Sequence, residues 1–110
     1  MARFRLPRMQ TNAVWRTPPI TFRAGAPPRD VDISAWVVSG IARSSTCSLA
    51  LNSDNGRLAI TDAGQLTISL SEADCAVLGP GRVDVEVMRS EPPPRRPLLR
   101  FAIINHQGLT

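Results

Sequence analysis

The side chains that could carry catalysis are few in this sequence, and their spacing fits no catalytic pattern. The one histidine, His106, stands near the end of the sequence and is better interpreted as a tail residue than as a general base. No serine lies within a G-x-S-x-G nucleophile turn. The sequence therefore predicts a protein that is not an enzyme. Carboxylates recur two residues apart, a spacing that puts both on the solvent face of a strand: Asp30 and Asp32, Glu72 and Asp74, Asp84 and Glu86.

Metal and phosphate chemistry also lack a recognisable motif. Cys47 and Cys75 stand 28 residues apart, without a C-x-x-C spacing and without a neighbouring histidine, so neither a zinc site nor a disulfide framework is indicated. We interpret both as small buried residues. The turn Gly79-Pro80-Gly81 lacks the G-x-x-x-x-G-K frame that cradles phosphate groups. The sequence predicts no metal site and no cofactor.

Arginine dominates the charge of this chain, because all thirteen lysine-or-arginine positions are arginine. The net charge is +6 over residues 1–29, −5 over residues 30–88 and +3 over residues 89–110. Coding bias of a GC-rich genome is one explanation. The other is chemical, since guanidinium forks bind carboxylates or phosphates through two hydrogen bonds. A basic segment beside an acidic body favours association of like subunits or docking on an acidic surface, and it also suits nucleic acid.

Residues 1–18 show no sustained periodicity, so we predict an extended arm that becomes ordered only against another protein chain. Arginine alternates with aromatic residues in this arm, a mixture that lets bases stack while phosphates are neutralised. The strands, however, carry acidic faces, unlike the sheets that bind RNA. We therefore predict protein-binding residues, with nucleic-acid binding as the alternative: Arg3, Phe4, Arg5, Arg8, Trp15 and Arg16 in the arm, and Arg95 and Arg96 in a proline-rich loop.

From Ile20 onward, apolar and polar residues alternate, which predicts short strands with one buried face. Asp62-Ala63-Gly64 separates two such runs and predicts a hairpin. Ser71 and Asp74 have the spacing of a capping box, which predicts a short helix that ends before Gly79. No apolar run exceeds four residues, whereas a membrane span needs ~18, so no membrane association is expected.

About seven strands with turn signals between them predict an all-β fold, a single antiparallel β-sandwich. A chain of 110 residues has room for one domain. We expect the arm over residues 1–18, the sandwich over residues 19–105 and a tail over residues 106–110. The predicted core consists of large inward-facing side chains: Phe22, Ile33, Trp36, Leu49, Ile68, Leu70, Val85 and Phe101.

The strand and turn pattern resembles the immunoglobulin-like β-sandwich of tailed-phage virion proteins, notably the N-terminal domain of the baseplate upper protein and its short stand-alone relatives. The resemblance covers about residues 15–104. The chain departs from the family pattern at Val83, where an aromatic residue is common, and in the arm and the loop from Glu91 to Pro97. The matching positions are Trp15, Thr21-Phe22, Val31-Asp32-Ile33-Ser34, Trp36, Ile41 to Arg43, Gly64-Gln65-Leu66, Leu70-Ser71, Asp74, Leu78, Pro80-Gly81-Arg82 and Asp84-Val85-Glu86.

This resemblance implies a non-enzymatic virion structural protein, an adaptor or decoration subunit on the head surface, at the head-tail junction or in the tail or baseplate. The expected partners are capsid or tail subunits and further copies of this chain, with no membrane partner. The expected location is the virion, and the host cytoplasm during assembly. An accessory protein that binds nucleic acid through the arginine-rich arm remains the alternative.

Overall fold

The structure is a computed structural model that describes residues 6–27, 29–91 and 93–108. In these ranges the chain forms ten strands and a single seven-residue helix. The predicted all-β class is therefore confirmed at this level. The elements are β1 (Met9–Gln10), β2 (Trp15–Arg16), β3 (Phe22–Ala24), β4 (Arg29–Val31), β5 (Val37–Arg43), β6 (Ser48–Leu51), β7 (Leu58–Ile60), β8 (Leu66–Leu70), α1 (Glu72–Leu78), β9 (Gly81–Glu91) and β10 (Arg96–His106).

The described strands form three sheets. The largest has the order β1-β10-β9-β5-β6, the second has the order β2-β8-β7, and the third is the hairpin β3-β4. β1 pairs parallel to β10, and every other pair of strands is antiparallel. β7 and β8 form the hairpin predicted around Asp62-Ala63-Gly64, with Leu58 opposite Ile68. Sequence alternation therefore located the turn and the hairpin correctly.

Inward-facing side chains from the sheets share one apolar core. Val83, Val85 and Val87 alternate along β9 and are at most 1% exposed, as the period of two requires. Of the eight predicted core residues, four are buried: Ile33, Ile68, Leu70 and Val85. The other four, Phe22, Trp36, Leu49 and Phe101, are only partly buried and pack against the core from its margin.

The N-terminal segment differs from its prediction as a separate arm. Met9 is fully buried and Trp15 is 1% exposed. Trp15 pairs with Leu70 in the second sheet, its ring centroid lies 6.3 Å from that of Phe101, and its Nε1 donates a 2.9 Å hydrogen bond to the carbonyl oxygen of Pro7. Apolar burial holds residues 6–18 in the domain, so their order needs no neighbouring chain.

The predictions for the last two strands and for the C-terminal tail also need correction. β9 and β10 have eleven residues each, whereas short strands were expected. β10 accommodates Pro97 near its start through a register shift between Pro97 and Leu99. β10 includes His106, which was assigned to a tail. Gly108 is buried and donates a 3.0 Å hydrogen bond to the Thr11 hydroxyl. The last described residues thus pack on the N-terminal segment.

Helix α1 begins with the predicted capping box. The Ser71 hydroxyl accepts from the Asp74 amide at 3.1 Å, and the Asp74 carboxylate accepts from the Ser71 amide at 3.0 Å. The helix stops at Gly79, whose φ of +75° favours glycine. The Asn105 side-chain amide then donates to the carbonyl oxygens of Cys75 and Gly79, which joins the end of the helix to β10.

Replacement of Asp74 by asparagine is expected to lower the free energy of unfolding at pH 7 by about 1–2 kcal/mol, the value of a charge-assisted contact. The Arg57 guanidinium binds both Asp74 carboxylate oxygens, at 3.1 and 2.8 Å, and chiefly this contact lowers the pKa of Asp74 from its ordinary 3.8. The contribution is therefore complete above pH 3.8 and is lost as the pH falls through the lower folded-state value. Urea unfolding at pH 7 and pH 2 measures it.

The matched control for this pair is Glu72→Gln, which removes an exposed charge from the same helical turn. It is expected to change stability by less than about 0.5 kcal/mol at either pH. A stability difference between the wild type and Asp74→Asn that stays constant as the solution is acidified would contradict the role of the Asp74 charge.

Candidate functional site

The predicted loop arginines lie at the tip of the long hairpin. β9 ends at Glu91 and β10 begins at Arg96, and the peptide bond between Pro93 and Pro94 is cis. Arg95 and Arg96 are exposed. Within residues 6–27, 29–91 and 93–108, neither forms an ion pair. Together with Arg89, which lies opposite Arg96 in the ladder, they are called the tip cluster below.

Arg89 supports this tip from the inward face. Its guanidinium carbon lies 4.9 Å from the centre of the Trp36 ring, within the range of a cation-π contact. Its Nη2 also donates a 3.2 Å hydrogen bond to the carbonyl oxygen of Pro94. The Nε atom is buried without a hydrogen-bond partner in the described structure. Arg89 thus connects the loop to the body of the domain and limits the movement of the tip.

Sequence reasoning missed Arg89, although the sequence contained a signal for it. The buried positions of β9 alternate through Val83, Val85 and Val87, and the next position on that face is residue 89. An arginine at an inward position must find a partner for its charge and its flat surface. The Trp36 ring meets that requirement, but its position beside β9 is a feature of the tertiary structure.

Trp36 is itself held by local and distant contacts. Its ring centroid lies 6.4 Å from that of Phe22 in β3, and its amide donates a 2.9 Å hydrogen bond to the Ile33 carbonyl oxygen. The preceding turn is closed by the Asp32 carboxylate, which accepts from the Ser34 amide at 2.9 Å. This hydrogen bond lowers the pKa of Asp32. Phe22 and Arg89 therefore both pack against the Trp36 ring beneath the tip.

A shallow groove of about 180 Å³ lies beside the tip on the outer face of the largest sheet. Ile41 and Met88 contribute its apolar lining, and Glu86 and Arg95 contribute its charged groups. The Arg95 Nη2 atom lies 3.6 Å from the Met88 sulfur. The tip thus offers exposed guanidinium groups next to a small apolar recess.

Arg8 lies far from this tip. Arg8 and Arg16 are exposed, and Arg8 directly precedes Met9, which pairs with Asn105 near the other end of β10. From Arg96 to Asn105 the strand extends over ~30 Å at ~3.3 Å per residue. Trp15 was predicted to bind a partner, but its burial removes it from any surface. Arg3, Phe4 and Arg5 lie outside the described residues.

In each of the three carboxylate pairs identified in the sequence, one carboxylate binds an arginine. Asp30 binds Arg23 and Asp84 binds Arg82, each at 3.1 Å and each well exposed, so these contacts contribute little to stability. The third is the Asp74 contact with Arg57, which is more enclosed. Within the described ranges, no group of three or more histidine, cysteine or acidic side chains is placed to hold a metal ion.

The two cysteines are free thiols in different surroundings. Cys75 is fully buried, as expected, and burial raises the pKa of its thiol, with a further contribution from the Asp74 charge. Cys47 was also expected to be buried but is only half-buried, because it follows the exposed turn of Ser45 and Thr46.

Comparison of the chain with protein-family models, with curated proteins and with solved structures found no match. In the described part of the chain, no helix has the length and apolar character required to cross a bilayer.

Proposed function

We propose that this chain is a non-enzymatic structural protein of a tailed-phage virion, an adaptor or decoration subunit that docks on other virion proteins through the tip cluster. The head surface, the head-tail junction and the tail or baseplate are the candidate positions. The observation that carries the proposal is the tip itself, where Arg95 and Arg96 are exposed and form no ion pair with any described residue, and where Arg89 is held against Trp36.

A supported arginine cluster suits a docking role for an energetic reason. Binding normally costs about 0.5–1.5 kcal/mol for each long side chain that becomes ordered. The Arg89 contacts with Pro94 and Trp36 already order this side chain in the folded protein, so its ordering adds no further cost on binding. Arginine forks then bind carboxylates on an acidic protein surface through paired hydrogen bonds.

The assignment of the fold as an antiparallel β-sandwich with immunoglobulin-like topology is part of the same proposal. Buried side chains from all three sheets or their flanking residues join one core, an arrangement that supports an antiparallel β-sandwich. The strand and turn segments that resemble the phage family are the support for its immunoglobulin-like topology. Such domains act as rigid connectors when charged surfaces extend from them.

Nucleic-acid binding is the less favoured alternative. The expected interleaving of aromatic and arginine side chains depended partly on Trp15, whose ring is buried. Phe22 and Trp36 are engaged with each other, and Trp36 also with Arg89. These rings therefore offer less surface for base stacking than the sequence suggested.

The test is to purify phage particles assembled with charge-reversal variants and to count copies of the chain per particle by quantitative immunoblotting. Arg95→Glu combined with Arg96→Glu is expected to reduce the copy number at least tenfold while thermal unfolding stays unchanged. The matched control, Arg29→Glu with Arg43→Glu, reverses two exposed arginines outside the tip that form no ion pair within the described ranges, and it is expected to assemble normally.

Two results would overturn the proposal. The first is that the wild-type chain is missing from purified particles, or that the tip variant assembles as well as the control. The second is binding of the wild type to duplex DNA with log affinity falling by ~0.9 per phosphate contact against log salt, together with loss of that slope in the tip variant. An Arg8→Glu and Arg16→Glu variant, if it alone failed to assemble, would place docking on the N-terminal segment.

A further inference from the structure

The groove beside the tip has the size of a single side chain. Its volume of about 180 Å³ lies below the ~300–1,000 Å³ typical of sites for whole small molecules. Gly40 belongs to its lining through its backbone. Ile41 and Met88 are half-buried there, so an inserted apolar group would remove both from water.

We propose that this groove binds one aliphatic side chain from an extended acidic segment of the partner, while Arg95, which lines the groove, and Arg100, which lies opposite Glu86 on the same face, bind the flanking carboxylates. The inference rests on the proposed function, because it specifies the chemistry of the partner that docks on the tip cluster. An apolar anchor surrounded by polar contacts is the usual arrangement at the energetic centre of a protein interface.

The charges around the groove favour an acidic segment over a basic one. Glu86 is the carboxylate of the lining, and it lies opposite Arg100 in the ladder between β9 and β10. Arg95 stands at the groove as well, whereas Arg96 lies opposite Arg89 and therefore belongs to the other face. A basic segment would meet two arginines, Arg95 and Arg100, and the one carboxylate of Glu86. An acidic segment finds two guanidinium groups that form no ion pair with the described residues.

Met88 gives the groove an adaptable surface. Its thioether side chain is flexible and polarizable, and methionine is common at surfaces that accept varied apolar groups. The Arg95 guanidinium rests 3.6 Å from the Met88 sulfur, so the same arginine touches the apolar lining and faces solvent. A partner segment with an aliphatic side chain next to a carboxylate would contact the Met88 side chain with the first group and the Arg95 guanidinium with the second.

The test titrates the purified full chain with three short blocked peptides, followed by amide chemical shifts in NMR spectra. The first is Asp-Asp-Leu-Asp-Asp, the second has alanine for leucine, and the third has lysine for every aspartate. We expect the first peptide to bind at least tenfold more tightly than the second, and the third to show no binding. The shifted amides should lie in β5, β9 and the hairpin tip.

Two matched variants separate the groove from the rest of the sheet face. Ser39→Phe adds a ring within the lining, and Ser48→Phe adds the same ring on β6, at an exposed position opposite Arg43 and outside the lining. Ser39→Phe is expected to weaken binding of the leucine peptide at least tenfold, and Ser48→Phe less than twofold. Both positions face away from the core, so thermal unfolding serves as the check that each variant folds.

Equal binding of the leucine and alanine peptides, tighter binding of the lysine peptide, or equal effects of the two phenylalanine variants would each overturn the inference. The two proposals fail separately. If Ser39→Phe assembles into particles normally while the Arg95 and Arg96 reversal does not, the groove inference is wrong and the docking function stands. If the chain is missing from particles but the peptide results hold, the virion role is wrong and the groove stands.

Discussion

Replacement of Trp15 by alanine is expected to lower the free energy of unfolding by about 3–5 kcal/mol, the range found when large aromatic core residues are truncated. The Trp15 side chain is 1% exposed, packs near Phe101 and lies opposite Leu70 in the second sheet. Its indole also holds Pro7 through a hydrogen bond, so the segment before β1 should loosen. Urea unfolding followed by Trp36 fluorescence measures the loss, since the chain has two tryptophans.

Trp15→Phe is the matched control for this substitution. It keeps most of the buried ring but removes the donor to Pro7, so it is expected to cost less than half as much as alanine. A loss below about 1 kcal/mol for Trp15→Ala, far under the usual cost of an aromatic cavity, would contradict the integration of residues 6–18 into the core. That result would return the segment to the separate arm that the sequence predicted.

Replacement of Gly40 by valine is expected to destabilise the domain by about 3 kcal/mol or more, at the upper end of overpacking costs. A Cβ at this position would overlap the backbone carbonyl oxygen of Glu86 and lie 3.2 Å from the Val87 Cα. Because the obstacle is backbone, no rotation of a side chain relieves it. β5 would have to separate from β9 and lose ladder hydrogen bonds at the centre of the largest sheet.

Ser39→Val provides the control for β5, because it places the same side chain on the adjacent, outward-facing position of the strand. It is expected to change the free energy of unfolding by less than about 0.5 kcal/mol, as at most surface sites. Chemical unfolding of the three proteins measures the difference. Similar stabilities of Gly40→Val and Ser39→Val would show that the backbone approach between β5 and β9 is not required.

The sequence by itself determined the features that depend on neighbours along the chain. Alternation placed Val83, Val85 and Val87 on one buried face, because successive side chains of any strand point to opposite sides. The capping box at Ser71 and Asp74 was equally predictable, since its two hydrogen bonds join residues three positions apart. The predicted burial of Leu70 is confirmed. It too followed from the two-residue period of a strand.

Only the tertiary structure decided which isolated residues join the core and which surfaces lie together. Met9 and Trp15 stand in a segment too short and irregular to show a period, and their burial depends on strands far along the chain. Arg89 meets Trp36 across 53 positions, and the groove combines side chains of β5 with others from the long hairpin. Local patterns do not encode such contacts, because the contacts join residues far apart in the sequence and the hydrophobic effect that drives them has no directional preference.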